Sequence, residues 1–171
     1  MTDNPYSRVT LIFKPTTILM VLFAVISTSI SYGGGGMGGG MGGCSSIGIS
    51  NSQSLQFGTF ATSTSGNVII STGGNRSSTG GVLLLGGTYT SASFNITGTS
   101  YCSYSISLPS SISMSNGSQS MTVNSFTKNP SSGSLNGSGY QNLDVGATLQ
   151  ASSGQQEGAY NGSFTVTVNY N

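Results

Sequence analysis

Residues 163–170 read SFTVTVNY, and this stretch indicates the fold class most clearly. Large apolar side chains occupy every second position, while small polar residues stand between them; the apolar members are Phe164, Val166, Val168 and Tyr170. A period of two places one face of an extended strand against a core and the other face in water. The stretch therefore predicts a half-buried β-strand close to the end of the chain.

The same alternation recurs through the chain from residue 44 onward, for example in 94–97, 103–108 and 143–149. Turn residues separate the runs, including Asn-Gly pairs that begin at positions 116, 136 and 161. Asn-Gly supplies the positive φ angles that tight hairpin turns require. No stretch after residue 32 shows a helical apolar stripe without a Gly or Pro interruption. We therefore predict an all-β fold, an antiparallel β-sandwich of about seven to nine short strands.

Charged residues are rare, which excludes several classes of function. The 171-residue chain has four Lys or Arg, three Asp or Glu and no His. Nucleic-acid binding requires clustered cations, and none are present. Acid–base catalysis requires a group of tuned pKa, yet Asp144 and Glu157 are the only carboxylates after residue 32. We expect no enzymatic activity, catalytic residue, cofactor, metal site or nucleic-acid partner.

The N-terminal region has the order of a secretory signal peptide. Arg8 and Lys14 precede an unbroken apolar run at 19–26, and residues 27–31 are mostly small and polar. We predict a signal peptide over 1–31, and hence export to the periplasm, cell surface or extracellular space, with no transmembrane span after cleavage. The alternative is an uncleaved anchor, although the stretch 16–32 is short for a span of about 20 apolar residues.

A Gly-rich extension over residues 32–43 follows the predicted signal peptide. Its sequence from 33 to 43 is GGGGMGGGMGG, so Met37 and Met41 are the only side chains in the tract. Such tracts are usually flexible tethers, because glycine has high backbone entropy and buries little. If the tract were extended, the two methionines would lie on the same face.

Cys44 and Cys102 are the only cysteines, and we expect them to be bonded after export. A bond across a loop of this length would stabilise the fold by about 4 kcal/mol in the chain-entropy model. Two cysteines without histidine cannot fill a zinc shell. Lipidation of Cys44 is a weaker alternative, because the Gly tract separates it from the apolar run. Residues 44–171 are predicted to form one domain.

Four stretches of this domain carry a resemblance to a known family: LQFGTF (55–60), SFNITGTSYCSYSISLP (93–109), VGATLQ (145–150) and GAYNGSFTVTVNY (158–170). In them the chain resembles a family of small secreted bacterial proteins described as a domain of unknown function. That family is in turn similar to spore-coat-U and chaperone–usher pilin subunits. Pilin subunits carry a Gly fourteen residues from the end and an aromatic residue next to last, here matched by Gly158 and Tyr170.

The resemblance implies an Ig-like, pilin-like sandwich that lacks its last strand, which a neighbouring subunit's N-terminal extension completes. It implies a structural subunit of a bacterial surface filament or fimbria. Its partners would be other copies of itself or related subunits, with a periplasmic chaperone and usher. The implied assembly residues are Gly158, Phe164, Val166, Val168 and Tyr170, and the candidate donor segment contains Met37 and Met41. In an isolated subunit, the apolar face of the last strand would be partly uncovered.

The Gly-rich extension departs from the pattern of a donor strand. A donor strand should present several alternating apolar side chains, whereas this one offers only Tyr32, Met37 and Met41 among glycines. The alternative function is therefore a self-contained, monomeric adhesin or binding module, secreted or attached to the surface. In that case residues 164–170 form an ordinary core strand.

Overall fold

All regular secondary structure in the described residues is β-strand. The computed structural model describes residues 17–18 and 43–171. Eleven strands occur in the following order: β1 (Thr17–Ile18), β2 (Ile47–Gln53), β3 (Gln56–Ile70), β4 (Arg76–Thr90), β5 (Ala92–Gly98), β6 (Ser103–Ser107), β7 (Ser111–Ser115), β8 (Ser120–Asn129), β9 (Ser132–Ser134), β10 (Tyr140–Ala151) and β11 (Thr167–Tyr170).

The strands form two antiparallel sheets, as expected for a β-sandwich. The larger sheet has the order β1-β3-β10-β5-β2, with β4 beside β3, β8 beside β10 and β7 beside β8. The smaller sheet has the order β11-β6-β9. The prediction of an all-β antiparallel sandwich is confirmed. The strand estimate was slightly low and missed the length of β3 and β4, which have 15 residues each.

The long strands of the β3–β4 hairpin are bent. Its ladder shifts register at three places, one of them between Thr62 and Gly66. Such bulges bend a strand and increase its twist. Ten residues of straight strand would span about 33 Å, yet Nη1 of Arg76 donates a hydrogen bond of 3.0 Å to the Gly86 carbonyl. The two ends of β4 therefore lie close together.

The core consists of the residues that alternate in the sequence. The inward-facing residues of β5 and β10 include six that are at most 1% exposed: Phe94, Ile96, Leu143, Val145, Ala147 and Leu149. The Phe164 ring packs against Phe94 and Phe126, at centroid separations of 6.2 and 5.1 Å. The C-terminal segment thereby joins the core of the larger sheet.

The apolar run at 82–85 differs from the other apolar segments because only part of it is buried. Val82 is 9% exposed, whereas Leu83 and Leu85 are 63% and 47% exposed. Both leucines lie on β4, which pairs with β3 and with no other described strand. This run therefore places two large apolar side chains in water at the edge of the sheet.

One of the three Asn-Gly pairs behaves as the sequence predicted. Gly117 has a φ of 93°, but the glycines at 137 and 162 do not have positive φ, so the prediction was wrong there. At the second pair, the Asn136 side chain instead accepts hydrogen bonds from the backbone nitrogens of Ser138 and Tyr140. Gly139, with a φ of 70°, makes the turn.

Most of the N-terminal predictions fall outside the described residues. The predicted signal peptide (1–31) and Gly-rich extension (32–43) lie there, apart from β1 and Gly43, and so do Met37 and Met41. Within the described part of the chain, no helix has the length and apolar character needed to cross a membrane.

Candidate assembly site

The disulfide joins the start of the domain to the connection between β5 and β6. Cys44 and Cys102 are bonded, with their Cα atoms 5.9 Å apart, which confirms the predicted pair. Cys102 is 7% exposed. The bond is compatible with an oxidising location outside the cytoplasm.

The apolar side chains of the C-terminal segment are covered within one chain. Phe164, Val166 and Val168 are 3%, 0% and 2% exposed, respectively. The regular strand β11 is shorter than predicted, and it pairs with β6 so that Val168 lies opposite Ile106. The partly uncovered face expected of an isolated pilin-like subunit is therefore not observed.

Tyr170 anchors the chain end beside the disulfide. Its hydroxyl accepts a hydrogen bond from the Thr99 backbone nitrogen and donates one to the Ser46 carbonyl, both at 2.6 Å. Ser46 lies two residues after Cys44, and Thr99 lies three residues before Cys102. The next-to-last aromatic residue thus has a structural role here, whereas its role in assembly stays a prediction.

Gly158 lies in the loop that precedes Tyr160. Its φ of 145° falls in a region that favours glycine. Tyr160 is fully buried; its hydroxyl accepts a hydrogen bond from Gln155 Nε2 and donates one to the Gln156 carbonyl, both at 2.8 Å. Gly158 therefore belongs to a loop that places a tyrosine in the core, and its part in assembly stays a prediction.

One edge of β3 accepts a strand from the N-terminal region. The opposite edge of β3 pairs with β4 along its length. The first edge also pairs with β10, but only over residues 66–70 of β3. Beside the first half of β3, β1 pairs antiparallel, with Thr17 opposite Ala61 and Ile18 opposite Phe60. The strand that is added to β3 therefore comes from the region that the sequence assigned to the signal peptide.

A model of an uncharacterised protein family matches residues 47–170, which include every strand from β2 to β11. The chain belongs to the family described as Domain of unknown function (DUF4402). No curated protein matches the chain, and no solved structure matches it. The similarity to spore-coat-U and pilin subunits has no support from these comparisons and stays a prediction.

Tyr104 and Asp144 are titratable side chains of the DUF4402 domain with different surroundings. Burial raises the pKa of Tyr104, whose hydroxyl has no hydrogen-bond partner among the described residues. Asp144 accepts hydrogen bonds from Ser93 Oγ at 2.5 Å and from Asn142 Nδ2 at 3.1 Å. In the described residues, no three His, Cys, Asp or Glu side chains are grouped to hold a metal ion.

Two exposed tyrosines of the DUF4402 domain were not identified by sequence reasoning. Tyr101 is 76% exposed and Tyr140 is 38% exposed. Both border the same turn, since Tyr101 N donates to the Leu135 carbonyl and Tyr140 N donates to the Asn136 side chain. The alternation of apolar residues could not identify this pair. It predicts which residues face the core, but not which exposed residues border the same turn.

Proposed function

We propose that this protein is a non-enzymatic structural subunit of a bacterial surface filament or fimbria, exported to the periplasm, cell surface or extracellular space. The observation that supports this most is the edge of β3 at Phe60–Ala61, where the described partner is β1, a strand from the predicted signal peptide. Cleavage of that peptide in the exported protein would leave this edge of β3 without β1, and the edge would then be able to pair with a strand from a neighbouring chain. The partners are other copies of the chain or related subunits, with a periplasmic chaperone and usher.

The chemistry of the β3 edge favours strand addition. Residues 55–63 contain no charged side chain. Phe57 and Phe60 are fully buried, which fixes this half of the strand to the core. Natural edges often avoid pairing by means of Lys, Pro or inward-pointing charges, and this stretch has none of these. The donor would be an N-terminal segment, for which Met37 and Met41 remain candidates.

A self-contained adhesin or binding module is the second candidate function. The observation that favours it is the burial of Phe164, Val166 and Val168, because the core is closed around the last strand within one chain. In this case the Gly-rich extension is a tether. Tyr170 then stabilises the fold of its own chain and takes no part in an interface between subunits.

Electron microscopy of material sheared from cells that express the full-length gene tests the filament proposal. Ala61→Lys places a charge on the β3 edge, opposite Thr17, and should abolish filaments because an edge lysine opposes strand pairing. Leu83→Lys is the matched control, because Leu83 lies opposite Ala61 across the hairpin and is 63% exposed. The control should retain filaments.

Two results would contradict the filament proposal. One is a wild-type protein recovered only as a soluble monomer, which would favour the adhesin. The other is an Ala61→Lys variant that forms filaments in wild-type amounts. A thermal melt of each variant ensures that a loss of filaments is not a loss of folding.

A further inference from the structure

Tyr101 combines high exposure with an unfavourable backbone conformation. Its φ is 61°, and 76% of its surface is exposed. A bulky residue in the left-handed region is strained, and such outliers concentrate at functional sites. An exposed phenol contributes little burial that would compensate for this strain. Glycine would adopt this φ without strain, so the backbone does not account for a tyrosine at this position. We therefore look for a role of the tyrosine side chain.

The Tyr101 ring lies over a glycine in the neighbouring turn. A Cβ atom on Gly137 would come within 2.6 Å of the Tyr101 hydroxyl and 3.3 Å of its Cζ. The turn is held by Asn136, whose side-chain oxygen also fixes the backbone nitrogen of Tyr140. Two exposed tyrosines therefore flank one hydrogen-bonded turn.

Tyr140 lies at one end of a row of polar side chains on the outer face of the larger sheet. Its hydroxyl donates to Asn95 Oδ1 at 2.6 Å, which fixes the ring orientation. On this face Asn95 pairs with Asn142, and the next outward pair is Ser93 with Asp144. Asn142 Nδ2 and Ser93 Oγ both donate to Asp144 Oδ1, so the row is pre-arranged. The tyrosine surface comprises Tyr101, Tyr140, Asn95, Asn142, Ser93 and Asp144.

We propose that the tyrosine surface binds an uncharged polysaccharide. A sugar ring has an apolar C–H face, which fits the flat face of an exposed aromatic ring, and a rim of hydroxyls, which fits amide and carboxylate groups. Tyrosine suits such a ligand because its ring is apolar and its hydroxyl is polar. The side-chain amides of Asn95 and Asn142 retain hydrogen-bonding capacity beyond the bonds described above.

The charge of the chain favours a neutral ligand. The four cations and three anions are scattered through the sequence, and Asp144 is the only charged member of the tyrosine surface. An anionic polymer would need a cluster of Lys or Arg, and a cationic one would need several carboxylates. The inference is independent of filament assembly, because the surface lies on β5, β10 and the adjoining loops.

Affinity electrophoresis tests this proposal on protein purified from expression of the full-length gene. The gels contain dextran, xyloglucan or mixed-linkage β-glucan as neutral probes, with alginate as an anionic probe and gelatin as a polypeptide. At least one neutral polysaccharide should retard the wild-type protein. Tyr101→Gly and Tyr140→Ala should each weaken that retardation at least about tenfold, as for central aromatic contacts in other interfaces.

The thermal melts of the variants separate a binding role from a structural role. Tyr101→Gly should melt within a few degrees of the wild type, because the relief of backbone strain offsets the greater freedom of glycine in the unfolded chain. Tyr89→Ala is the matched control, since Tyr89 is a 45% exposed tyrosine on β4; it should keep wild-type retardation.

Three results would overturn the proposal. The first is no retardation in any neutral gel. The second is retardation only by alginate or by gelatin, which would indicate an anionic or polypeptide ligand. The third is full retardation of both Tyr101→Gly and Tyr140→Ala.

Discussion

Replacing Tyr170 with Phe removes one oxygen atom and tests whether this residue anchors the chain end. Two hydrogen bonds of 2.6 Å are lost, from Thr99 N and to the Ser46 carbonyl. Each contributes about 1 kcal/mol net, so the expected loss of unfolding free energy is about 2 kcal/mol. For a domain of about 130 residues, this lowers Tm by about 7 °C.

Differential scanning calorimetry of the purified, oxidised protein measures this shift. Tyr140→Phe is the matched control: it removes the same atom from a 38% exposed tyrosine, whose surface hydrogen bond water can replace. Its Tm should change by less than about 2 °C. A Tyr170→Phe variant that melts with the wild type would show that the Tyr170 hydroxyl does not anchor the chain end. Equal destabilisation of the two variants would show the same.

The remaining predictions concern the disulfide and a buried tyrosine. Replacing Cys44 and Cys102 together with Ser should lower the unfolding free energy by about 4 kcal/mol; an unchanged urea midpoint in the reduced and oxidised wild type would contradict this. Tyr104→Phe should stabilise the fold by about 1 kcal/mol, because the Tyr104 hydroxyl is buried without a partner among the described residues. Burial raises the pKa of Tyr104, so folding favours its neutral form. The stability that depends on this neutral form is fully present below about pH 10 and is lost as pH rises through the folded-state pKa. Alkaline urea titrations should therefore show a smaller loss in Tyr104→Phe than in the wild type.

Period-two alternation predicted the core well because it depends only on neighbouring residues. Phe94, Ile96 and Leu143 are buried as their positions required. The disulfide was also predictable, since only one intramolecular pair can form from two cysteines. The extent of β3 and β4 was not predictable: their bulges depend on close approaches across the hairpin. At Gly81, for example, a Cβ atom would overlap the Thr64 side chain.

The proposed functional surfaces were harder to infer because they depend on contacts between distant segments. Tyr101 and Tyr140 border the same turn only because the turn after Leu135 packs against the loop before Cys102. The apolar run containing Leu83 lies on a strand at the edge of the sheet, and nothing in its local sequence indicates this position. The role of Tyr170 likewise depends on Ser46, which is 124 residues away in the sequence.

Filament assembly and polysaccharide binding, the two proposed activities, use different parts of the domain. Tyr140 begins β10, whereas β3 joins that strand over residues 147–151, at its other end. A strand added at the first half of β3 therefore need not touch the tyrosine surface. A flat, exposed site with two aromatic rings is expected to bind weakly as a single copy. Repeating it along a filament would make successive contacts to one polysaccharide intramolecular, so avidity could exceed the single-site affinity by about 10²–10⁴. Assembly would thus convert a weak surface into effective adhesion.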